Sequence, residues 1–212
     1  MARRLGQFSL ELPSRPAVLD RAALGGKTEG EGPLGAQFDE IFPEAKLGEE
    51  NWEQAEAHLL QSAIRRALAK AHCAEGEIGL LFGGDLLNQC IATGFALRAL
   101  GIPLAGLYGA CSTFALSAAL AALALDGGGF TKVMAAASSH FCAAEKQFRF
   151  PLEYGGQAPP SAQRTATAAA ALLLGGGATE GSRVRVSCVI FGRVRDLGVS
   201  DANEMGAAMA PA

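Results

Sequence analysis

The segment from Phe114 to Leu125 reads as a helix with no polar face: phenylalanine, leucine and alanine are spread around every side of it. A helix on the outside of a domain keeps a polar stripe toward water. At about 12 residues this one is too short to cross a bilayer, which takes about 20. The segment therefore reads as an interior helix, covered on all sides by protein. Nothing else in the chain obviously covers its far side, so the chain is expected to hold one half of a larger layered α/β fold.

The surrounding pattern supports a parallel sheet. Residues 51–71 repeat Trp52, Ala55, Leu59, Ala63 and Ala67 at helical spacing, with Asn51 and Gln54 as a start signal. Ile78–Phe82, Leu104–Tyr108 and Lys132–Ala137 are short apolar runs, as expected of buried strands. Leu86–Leu100 and Ser112–Leu125 return to helix spacing between them. Strand and helix alternating from 78 to 137 call for right-handed crossovers on a parallel sheet. Thr165–Leu174 and Val184–Val194 are two further strands, and 141–164 reads as a loop region. Residues 1–48 are rich in Gly, Pro and charge, and read as an irregular segment with a first short strand near Gln7–Leu12.

Half of the 212 residues are hydrophobic, which is ample material for a core. The net charge of −3 comes with no basic stripe, which argues against a nucleic-acid partner. The five cysteines, at 73, 90, 111, 142 and 188, show no paired metal-ligand spacing and fit a reducing compartment. No apolar run suits a signal peptide or a membrane span.

Cys111 has a distinctive setting. Leu107-Tyr108-Gly109-Ala110-Cys111-Ser112-Thr113 joins a buried strand to the apolar helix. A thiol at the first turn of a helix meets unpaired N–H groups and the positive dipole end. Gly109 is expected to allow the tight turn. Ligands of open α/β sheets bind at this end of the strands. The alternative is inert packing, the usual fate of a free cysteine.

GACST entering an apolar helix resembles the nucleophile turn of the thiolase-like superfamily. The strings GPLGAQFDE, NWEQAE, GGDLLNQ, ASSHFCAAEKQFRFPLEYGGQ, GRVRDLG and DANEMGAAMAPA, in this order, resemble the stage V sporulation protein AD family of spore-forming bacteria. The resemblance implies a five-layered αβαβα fold of two similar halves. This chain would be the N-terminal half, with a mostly parallel sheet, an antiparallel strand and a buried central helix. Residues 49–200 would form that half, and 201–212 would begin the link to a second. The resemblance further implies a non-catalytic protein that binds dipicolinic acid, pyridine-2,6-dicarboxylate. It would act with other SpoVA proteins that move this acid, with calcium, into the spore, as a homodimer peripheral to the inner membrane. No cofactor and no resident metal are implied. The catalytic histidines of thiolase-type enzymes come from the second half and have no counterpart here. The competing reading is an acyltransferase with Cys111 as thioester nucleophile.

A planar dianion needs cations or N–H donors for its carboxylates and an apolar slot for its ring. Segment 138–154 offers Ser138, Ser139, His140, Lys146, Arg149 and Tyr154. Arg149 can grip a carboxylate with two N–H groups; the alternative is a solvated loop charge. His140 follows a strand end, where an anion or a proton is handled; the alternative is a histidine satisfied within its loop. Phe148 and Phe150 read as core. The resemblance carries Cys111, Ser139, His140 and Arg149 over as ligand-binding residues, with Asp85 behind them. Asp85 also reads as a helix N-cap, and one carboxylate makes no calcium site.

Overall fold

The computed structural model describes residues 1–87, 89–148, 165–176, 184–200 and 206–207, and within the helix that starts at Phe141 it describes side chains up to Ala144. A six-stranded sheet runs in the order β4-β3-β8-β7-β5-β6. Its strands are β3 (Ala17–Gly26), β4 (Glu40–Phe42), β5 (Leu80–Asp85), β6 (Leu104–Gly106), β7 (Lys132–Ser139) and β8 (Ala168–Gly175). Strands β3 and β4 are parallel, as are β7, β5 and β6; β8 runs antiparallel to both its neighbours. This is the mostly parallel sheet with one antiparallel strand that the sequence led us to expect. A second sheet of three short antiparallel strands orders β1 (Arg3–Arg4), β2 (Ser9–Glu11) and β9 (Cys188–Ile190).

Among the described residues the α-helices are α1 (Lys27–Gly30), α2 (Trp52–Lys70), α3 (Ile91–Arg98), α4 (Thr113–Asp126) and α5 (Phe141–Phe148). Helix α2 begins as expected, with the Asn51 side chain accepting from the Gln54 N–H at 2.9 Å. Its apolar face, with Leu59, Leu60, Ala63 and Ile64 fully buried, packs with α3 on one side of the large sheet. Burying each of those leucines contributes roughly 1.5–3 kcal/mol. Strand β7 sorts its side chains by period two. Met134 and Ala136 join the core under α2 and α3, while Val133 and Ala135 join the core under α4. Alanine at these positions and at Ala169 and Ala171 of β8 lets helices approach the sheet closely from either side.

Helix α4 therefore lies on the large sheet, and its other side meets the small one, where Leu12 and Val189 pack with Ala121, Ala122 and Leu125. The layers run α2 and α3, large sheet, α4, small sheet. The far side, for which the sequence showed no cover within the chain, is thus partly covered by the chain's own short second sheet. Near its N-terminus α4 leaves Phe114 37% exposed and Ala115 exposed.

Four expectations about elements are corrected, and the strand read over Val184–Val194 is the first: it is confined to Cys188–Ile190. Residues 13–48, read as loops, contain β3, the longest strand among the described residues and one flanked on both sides. The helix expected over Leu86–Leu100 is shortened to α3. The start of the 141–164 region is the helix α5 rather than loop. No helix among the described residues is long and apolar enough to cross a membrane.

Candidate functional site

Parallel strands β5, β6 and β7 end on one edge of the sheet, and the cysteine turn rises from that edge. Strand β6 continues to Leu107, whose N–H donates to the Gly83 carbonyl at 2.8 Å. Gly84 sits beneath this crossing. A Cβ there would stand 1.9 Å from the Leu107 carbonyl oxygen, so only glycine fits. The chain then makes a single 3₁₀ turn, Ala110–Ser112, before α4 begins at Thr113. Cys111 thus stands just ahead of the helix rather than within its first turn. The left-handed residue is Ala110, with φ of 46°, and not Gly109. Two side chains hold this strained turn. Ser112 Oγ donates to the Gly109 carbonyl at 2.7 Å, and Thr113 Oγ1 donates to the Ala110 carbonyl at 2.8 Å while accepting from the Gly109 N–H at 3.2 Å. Ala110 is one of six described non-glycine residues at positive φ, with Arg15, Leu47, His72, Gln89 and Cys90.

Cys111 is exposed and lines a cleft of about 760 Å³. One wall is the cysteine turn with Ala115, Leu116 and Ala119 of α4. The other is the chain leaving β9, Ile190 to Arg195. This second wall includes two arginines, Arg193 and Arg195. Arg193 is anchored: its carbon Cζ lies 4.3 Å above the Phe8 ring, and Nη2 donates to Gln7 Oε1 at 3.1 Å. Arg195 makes no hydrogen bond or ion pair with the described residues. Sequence reasoning missed both. The signal was the GRVR string: arginines two apart in extended chain, directly after a strand, fall on one side.

The sequence-predicted residues divide between the two faces of the sheet. Ser139, by the alternation of β7, shares the α4 face with Cys111, and its buried Oγ has no partner among the described residues. Asp85, Ser138 and His140 belong to the opposite face. The Asp85 carboxylate is fully buried and accepts from the Cys90 N–H at 3.1 Å, the Thr93 N–H at 3.3 Å and Thr93 Oγ1 at 3.2 Å. It thereby caps α3, whose formal cap residue Cys90 has φ of 65° and no capping side chain. Burial, and secondly the Asp85 charge, push the Cys90 thiol up, so it remains a donor; its Sγ bonds the Leu107 carbonyl at 3.2 Å. Asp85 thus reaches the cysteine turn through Cys90 and Leu107.

His140 is fully buried. Its Nε2 lies 2.6 Å from the Ala45 carbonyl, so this nitrogen carries the proton, and Nδ1 accepts from the Cys142 N–H at 3.2 Å. The ring also packs on Trp52, centroids 5.6 Å apart. Beside it Ser138 Oγ donates to the buried Glu56 carboxylate at 3.0 Å. Arg149, Phe150 and Tyr154, and the side chains of Lys146 and Phe148, lie outside the described residues. No group of three metal-ligating side chains occurs among the described residues.

Solved structures place the architecture. The chain is similar to a point variant of Xanthomonas campestris OleA, with a TM-score of 0.51 at 14% identity over 76% of this chain and 56% of that one. It is similar to a second OleA variant at a TM-score of 0.53, again at 14% identity, over 76% of this chain and 58% of that one. It is also similar to the priming β-ketosynthase of the R1128 polyketide pathway, with a TM-score of 0.51 at 19% identity over 80% of this chain and 53% of that one. The fold is thiolase-like. Within that class, the Stage V sporulation protein AD (SpoVAD) family matches residues 6–212, and the Bacillus subtilis (strain 168) stage V sporulation protein AD is 41% identical over 187 residues. The chain belongs to the stage V sporulation protein AD family. The match takes in 88% of this chain and 54% of the Bacillus protein, so the chain spans about half the length of the relative it matches.

Proposed function

We propose that this chain supplies the ligand cleft of a non-catalytic, dipicolinate-binding protein of the spore SpoVA uptake machinery, built on a thiolase-like scaffold. The observation that carries this reading is the cleft at Cys111, whose lining combines two arginines with apolar residues of helix and strand. The ring of a pyridine dicarboxylate fits against Ala115, Leu116, Ala119 and Phe191. One carboxylate meets Arg195, whose planar fork matches it, and the other faces the donors at the start of α4. On this reading Arg149 is not required for the grip, and Asp85 supports the turn without touching ligand. Family membership supports a role in sporulation; homodimerisation and attachment to the inner membrane beside other SpoVA proteins are parts of the same proposal.

Calorimetric titration of the full-length protein with dipicolinate tests it. Heat saturating at one site, weakened in Arg195→Ala, is the expected result. Absence of heat from a folded native protein overturns it.

One observation favours a second reading, the acyltransferase: Cys111 is exposed in the cleft, ahead of a helix, where a thioester could form. That chemistry needs a base. His58 pairs with Glu49 at 2.9 Å, His72 follows α2 and His140 is sealed in the core, so no described histidine lines the cleft. An acyl mass on Cys111 after incubation with acyl-CoA would favour the enzyme.

A further inference from the structure

The edge of the large sheet opposite the cysteine turn holds another cysteine in a built environment. Helix α2 ends in a left-handed turn at His72, with φ of 50°. There the His72 N–H donates to the Ala69 carbonyl at 3.1 Å and the Cys73 N–H to the Leu68 carbonyl at 3.0 Å. This paired closure fixes Cys73 beside the first residue of β7. Lys132 Nζ lies 3.5 Å from Cys73 Sγ and 2.5 Å from Glu77 Oε2. Glu77 is held in turn by the Ala74 N–H, which donates to its Oε1 at 2.8 Å. Cys73 is half-buried, the Lys132 side chain is 30% exposed, and burial pushes the Cys73 thiol up against the opposing pull of Lys132.

We propose that Cys73 and Lys132 form a reversible sulfur–nitrogen bond when the protein meets a hydroperoxide. In the first step the sulfur attacks one oxygen of hydrogen peroxide and the O–O bond breaks. The thiol becomes a sulfenic acid, oxidised by two electrons, and the peroxide is reduced, releasing one water. In the second step the Lys132 ammonium gives a proton to solvent and the neutral amine attacks the sulfur. The S–N bond forms, the S–O bond breaks, and the hydroxyl leaves with a nitrogen proton as a second water. Thiol, amine and peroxide thus become one S–N bond and two waters, and the protein loses two hydrogens. A thiol reductant reverses the link by attack on sulfur. The Glu77 carboxylate keeps Lys132 in its ammonium form, which makes the second step the slower one and lets the sulfenic acid be seen first. The bond would staple the end of α2 to the start of β7 and divert Cys73 from irreversible oxidation. It is independent of the ligand reading of the cleft.

Peptide mapping by mass spectrometry after exposure of the native protein to equimolar hydrogen peroxide tests this. The expected product is one peptide pair joining Cys73 to Lys132, lighter by about 2 Da and restored by dithiothreitol. Dimedone added at early times should trap the sulfenic acid. Lys132→Arg keeps the charge and the Glu77 pairing but lacks a nucleophilic amine. It should lose the link and pass on to sulfinic acid at Cys73 several-fold faster than the native protein. The proposal is overturned if the two-hydrogen loss maps to a disulfide, if Cys73 stays reduced while Cys111 oxidises, or if Cys73 reaches sulfinic acid equally fast in both proteins. Should the variant not fold, the native peptide map decides alone.

Discussion

Cys111 and Cys188 are both exposed, but Cys188 sits on β9 and is not among the residues lining the cleft. A thiol reagent should modify both in the free protein. If dipicolinate occupies the cleft, it should slow alkylation of Cys111 several-fold and leave Cys188 unchanged, as followed by peptide mass spectrometry. Equal rates at Cys111 with and without saturating dipicolinate would contradict the proposed site. Arg195 lines the same cleft and has no hydrogen-bond or ion-pair partner among the described residues. Truncating it to alanine removes a charge-assisted contact, and binding should weaken about tenfold, or about 1.4 kcal/mol. Arg193 is already committed to Phe8 and Gln7. Its loss should also loosen the wall on which both arginines stand, which predicts a lower melting temperature as well as weaker binding.

At the scale of elements, Asp85 shows how a strand end and a helix start are made to agree. Its carboxylate satisfies three donors of Cys90 and Thr93. Asp85→Ala should cost about 1–3 kcal/mol by denaturant titration, since it leaves buried donors without an acceptor. It should weaken ligand binding too, through Cys90 and Leu107 rather than by lost contact. Unchanged stability would show the network to be idle. The closure of α2 offers a gain instead. His72 adopts a conformation that glycine enters freely, so His72→Gly should stabilise the fold by about 0.5–1 kcal/mol, visible as a melting point higher by about 1–4 °C. Much of this was legible from periodicity: α2, the strand order's parallel core and the strand-to-helix placement of Cys111 all follow from spacing. Strand β3 was not, because Asp20 and Arg21 interrupt its apolar run and Gly25 and Gly26 end it like a turn. The sorting of site residues also escaped, because strand period decides it. Ser139 and His140 are neighbours in sequence, yet one belongs to the α4 face and the other is locked against Ala45 and Trp52. The arginine wall escaped because it arrives from residues 190–195, far along the chain from the cysteine it faces.

The whole molecule is held together where its two sheets must share one helix. Asp126, at the end of α4, is buried and receives the Ser14 N–H at 3.0 Å and Ser14 Oγ at 2.6 Å from the chain between β2 and β3, with the Met1 ammonium 3.4 Å away. It ties the small sheet's connection to the central helix. Burial alone would push this carboxyl up, but the Ser14 hydrogen bonds and the Met1 charge outweigh it and hold it below the ordinary carboxylate range. Asp39 behaves alike: burial is opposed by Lys70 at 2.8 Å and by the Ala23 N–H at 2.9 Å, and its carboxyl also ends lower. A carboxyl lowered by folding stabilises the folded state fully above its unfolded pKa, about 3.9 for aspartate. As pH falls through that value the unfolded chain takes up protons first, and the contribution disappears once the folded pKa is passed. Stability should therefore be flat near neutral pH and decline below about pH 4. Asp126→Asn should lower stability at pH 7 by about 1–3 kcal/mol, because the amide is a weaker acceptor for Ser14. The same variant should show a shallower decline in acid, since one of the linked protons is gone. Urea titrations of both proteins between about pH 2.5 and pH 7, settings chosen around the carboxylate range, would read both slopes. Parallel slopes would mean that Asp126 titrates alike in folded and unfolded chains, and that the tie between sheets rests on the apolar contacts of Leu12 and Val189 with α4 instead.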